Sequence, residues 1–108
     1  MELHIKERIL IANIFPEKGN FSEYTMKKNI LKKIAITEQD KKDYNIVEKT
    51  EENRVEWDVK KDAEIPLSVD FSSEELKFMH KCCENISEKE LPDEMWDVVE
   101  HIFDESQQ

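Results

Sequence analysis

Residues 69–86, VDFSSEELKFMHKCCENI, carry the clearest fold signal in the chain. Ser72 followed three residues later by Glu75 is the pattern of a capping box, in which each side chain accepts a hydrogen bond from the other residue's backbone N–H. Phe71 and Leu76 flank this box at the two positions of a hydrophobic staple. Apolar residues then recur at helical spacing to the end of the stretch. The pattern predicts an extended segment that leads directly into a helix.

A second helix is predicted after the polar loop SEKE. Pro92 suits the first helical position, where its missing N–H costs nothing, and Asp93 and Glu94 follow where the helix dipole favours negative charge. Apolar residues then recur on one side, namely Met95, Val99, Ile102 and Phe103. Residues 65–105 are therefore predicted to form a strand and a C-terminal helical pair.

Upstream of these elements the sequence predicts three helices and a hairpin. Helical spacing of apolar residues predicts a helix at residues 4–14 and another at 21–34, the latter with the alternative of a short strand followed by a helix. Thr37 as an N-cap, with Glu38 and Asp40 in the first turn, predicts a short third helix at about residues 38–44. Alternating apolar and charged residues around a polar turn then predict a β-hairpin, with Trp57 covering one face of the core. This order of elements, over residues 4–59, resembles a winged helix-turn-helix.

The predicted fold class is α+β, in a single domain spanning residues 1–108. It comprises winged-helix-like helices and a hairpin, followed by the C-terminal helical pair. A chain of 108 residues fits one domain and is long enough to bury a core without disulfides or metals.

Charge is the most distinctive feature of the composition. Charged residues make up 39% of the chain, and the net charge is −10. It is unevenly spread: residues 1–36 carry a net +3, residues 37–63 carry −3, and residues 64–108 carry −10. Such asymmetry is typical of an interaction surface, and the alternative is an acidic face that only contacts solvent.

The residue types used in catalysis and metal binding form no known pattern. His80, Cys82 and Cys83 are close in sequence and His101 lies on the last predicted helix, yet HKCC lacks the spaced pairs that zinc sites use. A single glycine, Gly19, provides no phosphate-binding or oxyanion loop. We therefore predict a protein that is not an enzyme and has neither a metal nor a cofactor, with the cysteines in structural positions.

The N-terminal stretch, the apolar runs and the two cysteines together predict the cellular location. The stretch MELHIKERIL has no apolar core of signal-peptide length, and no apolar run is long enough to span a bilayer. The two cysteines are adjacent, an arrangement unsuited to a disulfide framework. These features predict a cytoplasmic protein without a membrane anchor.

Direct DNA reading is disfavoured by the charge of the predicted reading elements. The third helix, TEQDKKDY, has three acids against two lysines, whereas phosphate contact requires cations. A winged-helix regulator would instead contact the DNA backbone through lysines of the preceding helix. These are Lys27, Lys28, Lys32 and Lys33.

Short motifs are spread along the whole chain, namely ERILIANIFPEKGNF, LKKIAITEQDKKDYNI, NRVEWD, and a VDFSSEELKFM segment with the ending LPDEMWDVVEHIF. Together they resemble a group of small uncharacterised phage and prophage proteins. The resemblance implies an origin in a mobile element. It carries no catalytic residue.

The function that these observations favour is a non-enzymatic protein-interaction module. A basic partner protein is expected to dock on the acidic C-terminal half, steered by charge. The residues expected to bind it are Glu88, Glu90, Asp93, Glu94, Asp97 and Glu100. The alternatives are a DNA mimic with a double row of carboxylates, a winged-helix DNA-binding regulator, and an assembly protein that forms a homo-oligomer.

Overall fold

The computed structural model describes residues 1–107 and combines α-helices with two small antiparallel sheets. The helices are α1 (Ile5–Leu10), α2 (Phe21–Ile34), α3 (Glu38–Asp43), α4 (Val59–Glu64), α5 (Ser73–Asn85) and α6 (Asp93–Glu105). The strands are β1 (Glu2–Leu3), β2 (Val47–Lys49), β3 (Arg54–Glu56) and β4 (Leu67–Ser68). The predicted α+β class, with a hairpin and a C-terminal helical pair, is confirmed.

The helix starts explain why the elements begin where they do. Ser72 precedes α5 and accepts from the Glu75 N–H, and the Glu75 carboxylate accepts from the Ser72 N–H, so the predicted capping box is confirmed. Asn20 and Glu23 form the same box before α2. Pro92 was predicted to be the first helical residue of α6. Its ψ is extended, so it is instead the N-cap, one position before the helix begins.

The short ribbon of β1 and β4 joins the chain's first residues to the segment before α5. Leu3 pairs with Leu67 and Glu2 with Ser68. The Met1 amino group also donates to the Val69 carbonyl at 2.9 Å. The sequence did not predict β1, because a two-residue strand has no periodicity to detect.

One hydrophobic core joins the two parts of the predicted domain. Helix α6 packs on α5, α1 and the 3₁₀ turn Ile11–Ile14, and α2 packs on α5. The most deeply buried apolar residues of this core include Leu3, Ile11, Ile14, Ile30, Ile34, Met79, Cys83 and Ile102. Close packing of this set fixes which faces of α5 and α6 remain at the surface.

The segment around Trp57 differs from the prediction. Alternation was expected to extend β3 through Val59, but Asp58 accepts from the Lys61 N–H and caps α4. Trp57 lies at this junction, half-buried and outside the residues that form the core, so its predicted role there is wrong. The Asp58 cap favours the helix over a longer strand, because it gives the Lys61 N–H at the helix start a hydrogen-bond acceptor.

Arg8 ties α1 to the corner between α2 and α3. Its side chain is 3% exposed and donates to the carbonyls of Ile34 and Ala35, at 3.0 and 2.8 Å. It also bonds the Asp40 carboxylate at 2.7 Å. Burial alone would raise the pKa of Asp40, but hydrogen bonds from Thr37 and Arg8 outweigh it and leave the pKa below its ordinary value. The arginine thus supplies donors to carbonyls that a helix end leaves unpaired.

Candidate protein-docking surface

A row of carboxylates runs along the solvent face of α6. Asp93, Asp97, Glu100 and Asp104 are spaced at i, i+4, i+7 and i+11, so they lie on one side of the helix, and all four are exposed. Among residues 1–107 none of the four has an ion-pair partner within 4.0 Å. We call these residues the acidic row. They present four uncompensated charges to any approaching molecule.

One flank of the acidic row is closed by contacts with α1. Glu94 forms an ion pair with Lys6 at 3.3 Å, and His101 bonds the Glu7 carboxylate. Glu7 is already engaged, since its other oxygen accepts from the His4 N–H at the start of α1. These side chains hold α6 against α1 and are less available to a partner.

The other flank opens into a groove between α5 and α6. Trp96 and Phe103 are half-buried on its α6 side, and Cys83 and Glu84 line its α5 side. The groove has a volume of about 620 Å³, and Glu100 of the acidic row stands on its rim. We call it the aromatic groove. An apolar side chain entering it would be held beside carboxylates.

The six acids predicted from the sequence are therefore not one cluster. Asp93, Asp97 and Glu100 belong to the acidic row, and Glu94 turns to Lys6. The remaining two, Glu88 and Glu90, are exposed in the loop between α5 and α6. Sequence reasoning missed Asp104, although its i+4 spacing from Glu100 would have placed it in the row.

A chain of hydrogen bonds beside the aromatic groove has the residue types of a catalytic triad. His80 Nε2 lies 3.0 Å from Glu84, and His80 Nδ1 lies 3.3 Å from the Ser106 hydroxyl. However, Ser106 is 2% exposed and follows the C-terminal end of α6, where the helix dipole is negative and disfavours an oxyanion. His80 also stacks on Phe103, with ring centroids 4.3 Å apart. The cluster fastens the end of α6 to α5.

The cysteines occupy structural positions. Cys82 and Cys83 are unpaired and buried in the core, and burial raises the pKa of both thiols to about 11. Both thiols are therefore protonated at neutral pH, whereas a nucleophile or metal ligand requires the thiolate. His101 contacts Glu7 on the opposite flank of α6 from Cys83. In residues 1–107 no three side chains of metal-binding type converge on one point.

The four lysines considered for DNA contact do not share one role. Lys33 pairs with the buried Glu75 at 2.6 Å and donates to the Asp70 carbonyl, and Lys27 donates to the Pro16 carbonyl. The other two, Lys28 and Lys32, are exposed on α2. Half of the expected contact surface is therefore committed to the fold.

Comparison of the chain with protein-family models, with curated proteins and with solved structures finds no match. The helices described between residues 1 and 107 include none with the length and apolar character needed to cross a membrane.

Proposed function

We propose that this protein is a non-enzymatic interaction module that docks a basic partner protein on α6 in the cytoplasm. The observation that carries the proposal is the acidic row running beside the aromatic groove. Four unpaired carboxylates attract a cationic surface, and the groove offers Trp96 and Phe103 for an apolar anchor. The phage or prophage origin implied by the sequence resemblance is part of the same proposal.

The geometry favours a helix as the docking element. Rows repeating every three or four residues match the side-chain spacing of a second α-helix, so lysines or arginines on a partner helix meet successive carboxylates. Charge steers the encounter, and burial of an aromatic or aliphatic anchor supplies affinity that survives screening by salt. The DNA-mimic alternative requires two parallel rows, whereas α6 presents one and its flanking Glu94 is paired with Lys6.

Affinity capture from host lysate, with nuclease added to half of the samples, tests this function. The bait is the full chain, compared with a row variant that combines Asp97→Asn, Glu100→Gln and Asp104→Asn. A matched control neutralises three exposed acids elsewhere, Glu17, Glu48 and Glu51, with the same loss of charge. Capture is measured at about 0.15 M and about 0.5 M salt, because salt screens exposed charge pairs strongly over this range.

The proposal expects a protein captured by the wild type and by the matched control but lost with the row variant. Its capture should weaken at the higher salt concentration. Equal capture by all three baits would contradict the proposal, since the acidic row would then contribute nothing specific. Capture of nucleic acid alone, abolished by nuclease, would instead favour the winged-helix regulator.

A further inference from the structure

Helix α2 exposes a surface unlike any other described in residues 1–107. Phe21 and Tyr24 are 82% and 56% exposed, and their ring centroids are 6.5 Å apart. Lys28 and Lys32 continue the same side of the helix, at i+7 and i+11 from Phe21. We call these four residues the aromatic–lysine face.

The aromatic–lysine face is not explained by the stability of the fold. Phe21 contributes almost nothing to the core at its level of exposure, and neither exposed lysine has a carboxylate within 4.0 Å among residues 1–107. Clustered exposed aromatic rings mark interaction surfaces more often than chance placement. This face also lies in the part of the sequence with a net charge of +3, in a chain whose total is −10.

We propose that the aromatic–lysine face docks on the acidic row and aromatic groove of a second copy of this chain. The inference rests on the proposed function, because it names a lysine-bearing face of this same chain as an occupant of that surface. Charge complementarity supports it: one surface combines rings with lysines, and the other combines rings with carboxylates. Docking of like faces would instead oppose lysines with lysines or carboxylates with carboxylates, which is unfavourable.

The spacing of the two faces also matches. Lys28 and Lys32 are one turn apart, as are Glu100 and Asp104, so each pair is separated by about 6 Å along its helix. A parallel alignment that sets Lys28 opposite Glu100 also sets Lys32 opposite Asp104. The same alignment brings Tyr24 and Trp96 to the same level along the two helices, because all three pairs share one offset along the sequence.

Such an interface joins two different faces and is therefore heterologous. Each copy that binds through α2 leaves its own α6 free, so assembly continues into a chain or closes as a ring. Two helix faces bury less area than a standard stable interface, and the net charge of each copy opposes association. The assembly is therefore weak and reversible, and basic proteins compete for its α6 surface.

Sedimentation velocity of the purified full chain over a wide range of concentrations tests this inference at about 0.15 M salt. An α2 variant combines Phe21→Ser, Lys28→Gln and Lys32→Gln, all at exposed positions. An α6 variant combines Glu100→Gln and Asp104→Asn. A matched control neutralises two exposed lysines elsewhere, Lys42 and Lys60.

The wild type and the lysine control are expected to grow beyond the dimer as concentration rises. Each variant alone should remain a 12.9 kDa monomer. An equal mixture of the two variants should form dimers and nothing larger, because only one intact pair of faces remains. This capped dimer is the result that a general loss of solubility or stability would not produce.

A wild type that stays monomeric at every concentration would overturn the inference. So would association that persists unchanged in both variants, or that the lysine control abolishes equally. Binding of a single-stranded oligonucleotide by a monomeric wild type, lost in the α2 variant, would also overturn it and assign the face to nucleic acid. A monomeric chain that still captures a basic protein through the acidic row would leave the proposed function intact.

Discussion

At the scale of single residues, the fold depends on a buried arginine that the sequence did not single out. Arg8 is one of sixteen basic residues, and nothing in its local pattern separates it from the rest. Its role arises only when α1 packs against the corner between α2 and α3, which places the guanidinium within bonding distance of three acceptors. Periodicity predicts which helices form but gives no information on such contacts between them.

Arg8→Met is expected to lower the free energy of unfolding by about 3 kcal/mol, because two carbonyls and the Asp40 carboxylate lose a charged donor at a partly buried site. Urea denaturation of the purified protein measures the change. Arg54→Met is the control, since Arg54 is exposed on the hairpin and its ion pairs contribute little. Equal losses in the two variants would contradict the role assigned to Arg8.

Glu75 gives the stability a dependence on pH. Burial alone would raise the pKa of Glu75, but hydrogen bonds from Lys33 and Ser72 outweigh it and hold the pKa below the ordinary value of 4.5. The unfolded chain then binds the proton more tightly than the folded chain. The stabilisation by the charged Glu75 carboxylate is therefore complete above pH 4.5. It is lost as the pH falls through the lower pKa that Glu75 has in the folded protein.

Glu75→Gln is expected to flatten the acid side of the stability profile, because the substituted side chain has no proton to take up. Denaturant titrations at a series of pH values below 6 compare the variant with the wild type. Parallel profiles for the two proteins would show that the Glu75–Lys33 pair does not couple protonation to folding.

At the scale of elements, helices with several turns of apolar spacing or a capping box were predicted well, and the shortest elements without either were not. Ser72 and Thr37 both precede an acidic residue at the third helical position, and both boxes are present in the structure. Helix α4 was missed because Val55, Trp57 and Val59 alternate as in a strand, although Asp58 caps a helix between them. A short element is determined by a single cap or a single partner strand. Hydrophobic periodicity can be recognised only over several turns, so it does not predict such elements.

The Asn20 cap offers a direct test at this scale. Asn20→Ala is expected to cost about 1 kcal/mol in the free energy of unfolding, because the Glu23 N–H loses its acceptor at the start of α2. Asn29→Ala on the same helix is the matched control. Asn29 is exposed in the interior of α2, where alanine has the higher helix propensity, so this change should be neutral or slightly stabilising. Thermal or urea unfolding that ranks the two variants in the reverse order would contradict the assigned cap.

At the scale of the whole molecule, the sequence predicted where the acidic charge lies but not the shape of the surface that bears it. The net −10 of residues 64–108 directed attention to α6, and three of the six predicted acids lie in the acidic row. The aromatic groove was not predicted, because Trp96 and Phe103 belong to the apolar side of the helix pattern. Only the packing of α5 and α1 determines that these rings stay half-exposed while Met95 and Ile102 are buried.

The most direct test of the docking surface uses Trp96 as its reporter. The chain has two tryptophans, so Trp57→Phe leaves Trp96 as the only one. This background is titrated at about 0.15 M salt with a synthetic amphipathic helical peptide carrying lysine and leucine. We predict a saturable blue shift of the Trp96 emission as the peptide covers the aromatic groove. The shift should be lost with Asp97→Asn, Glu100→Gln and Asp104→Asn, and kept when Glu17, Glu48 and Glu51 are neutralised. Unchanged emission, or an equal response from both sets of substitutions, would contradict the assignment of α6 as the docking surface.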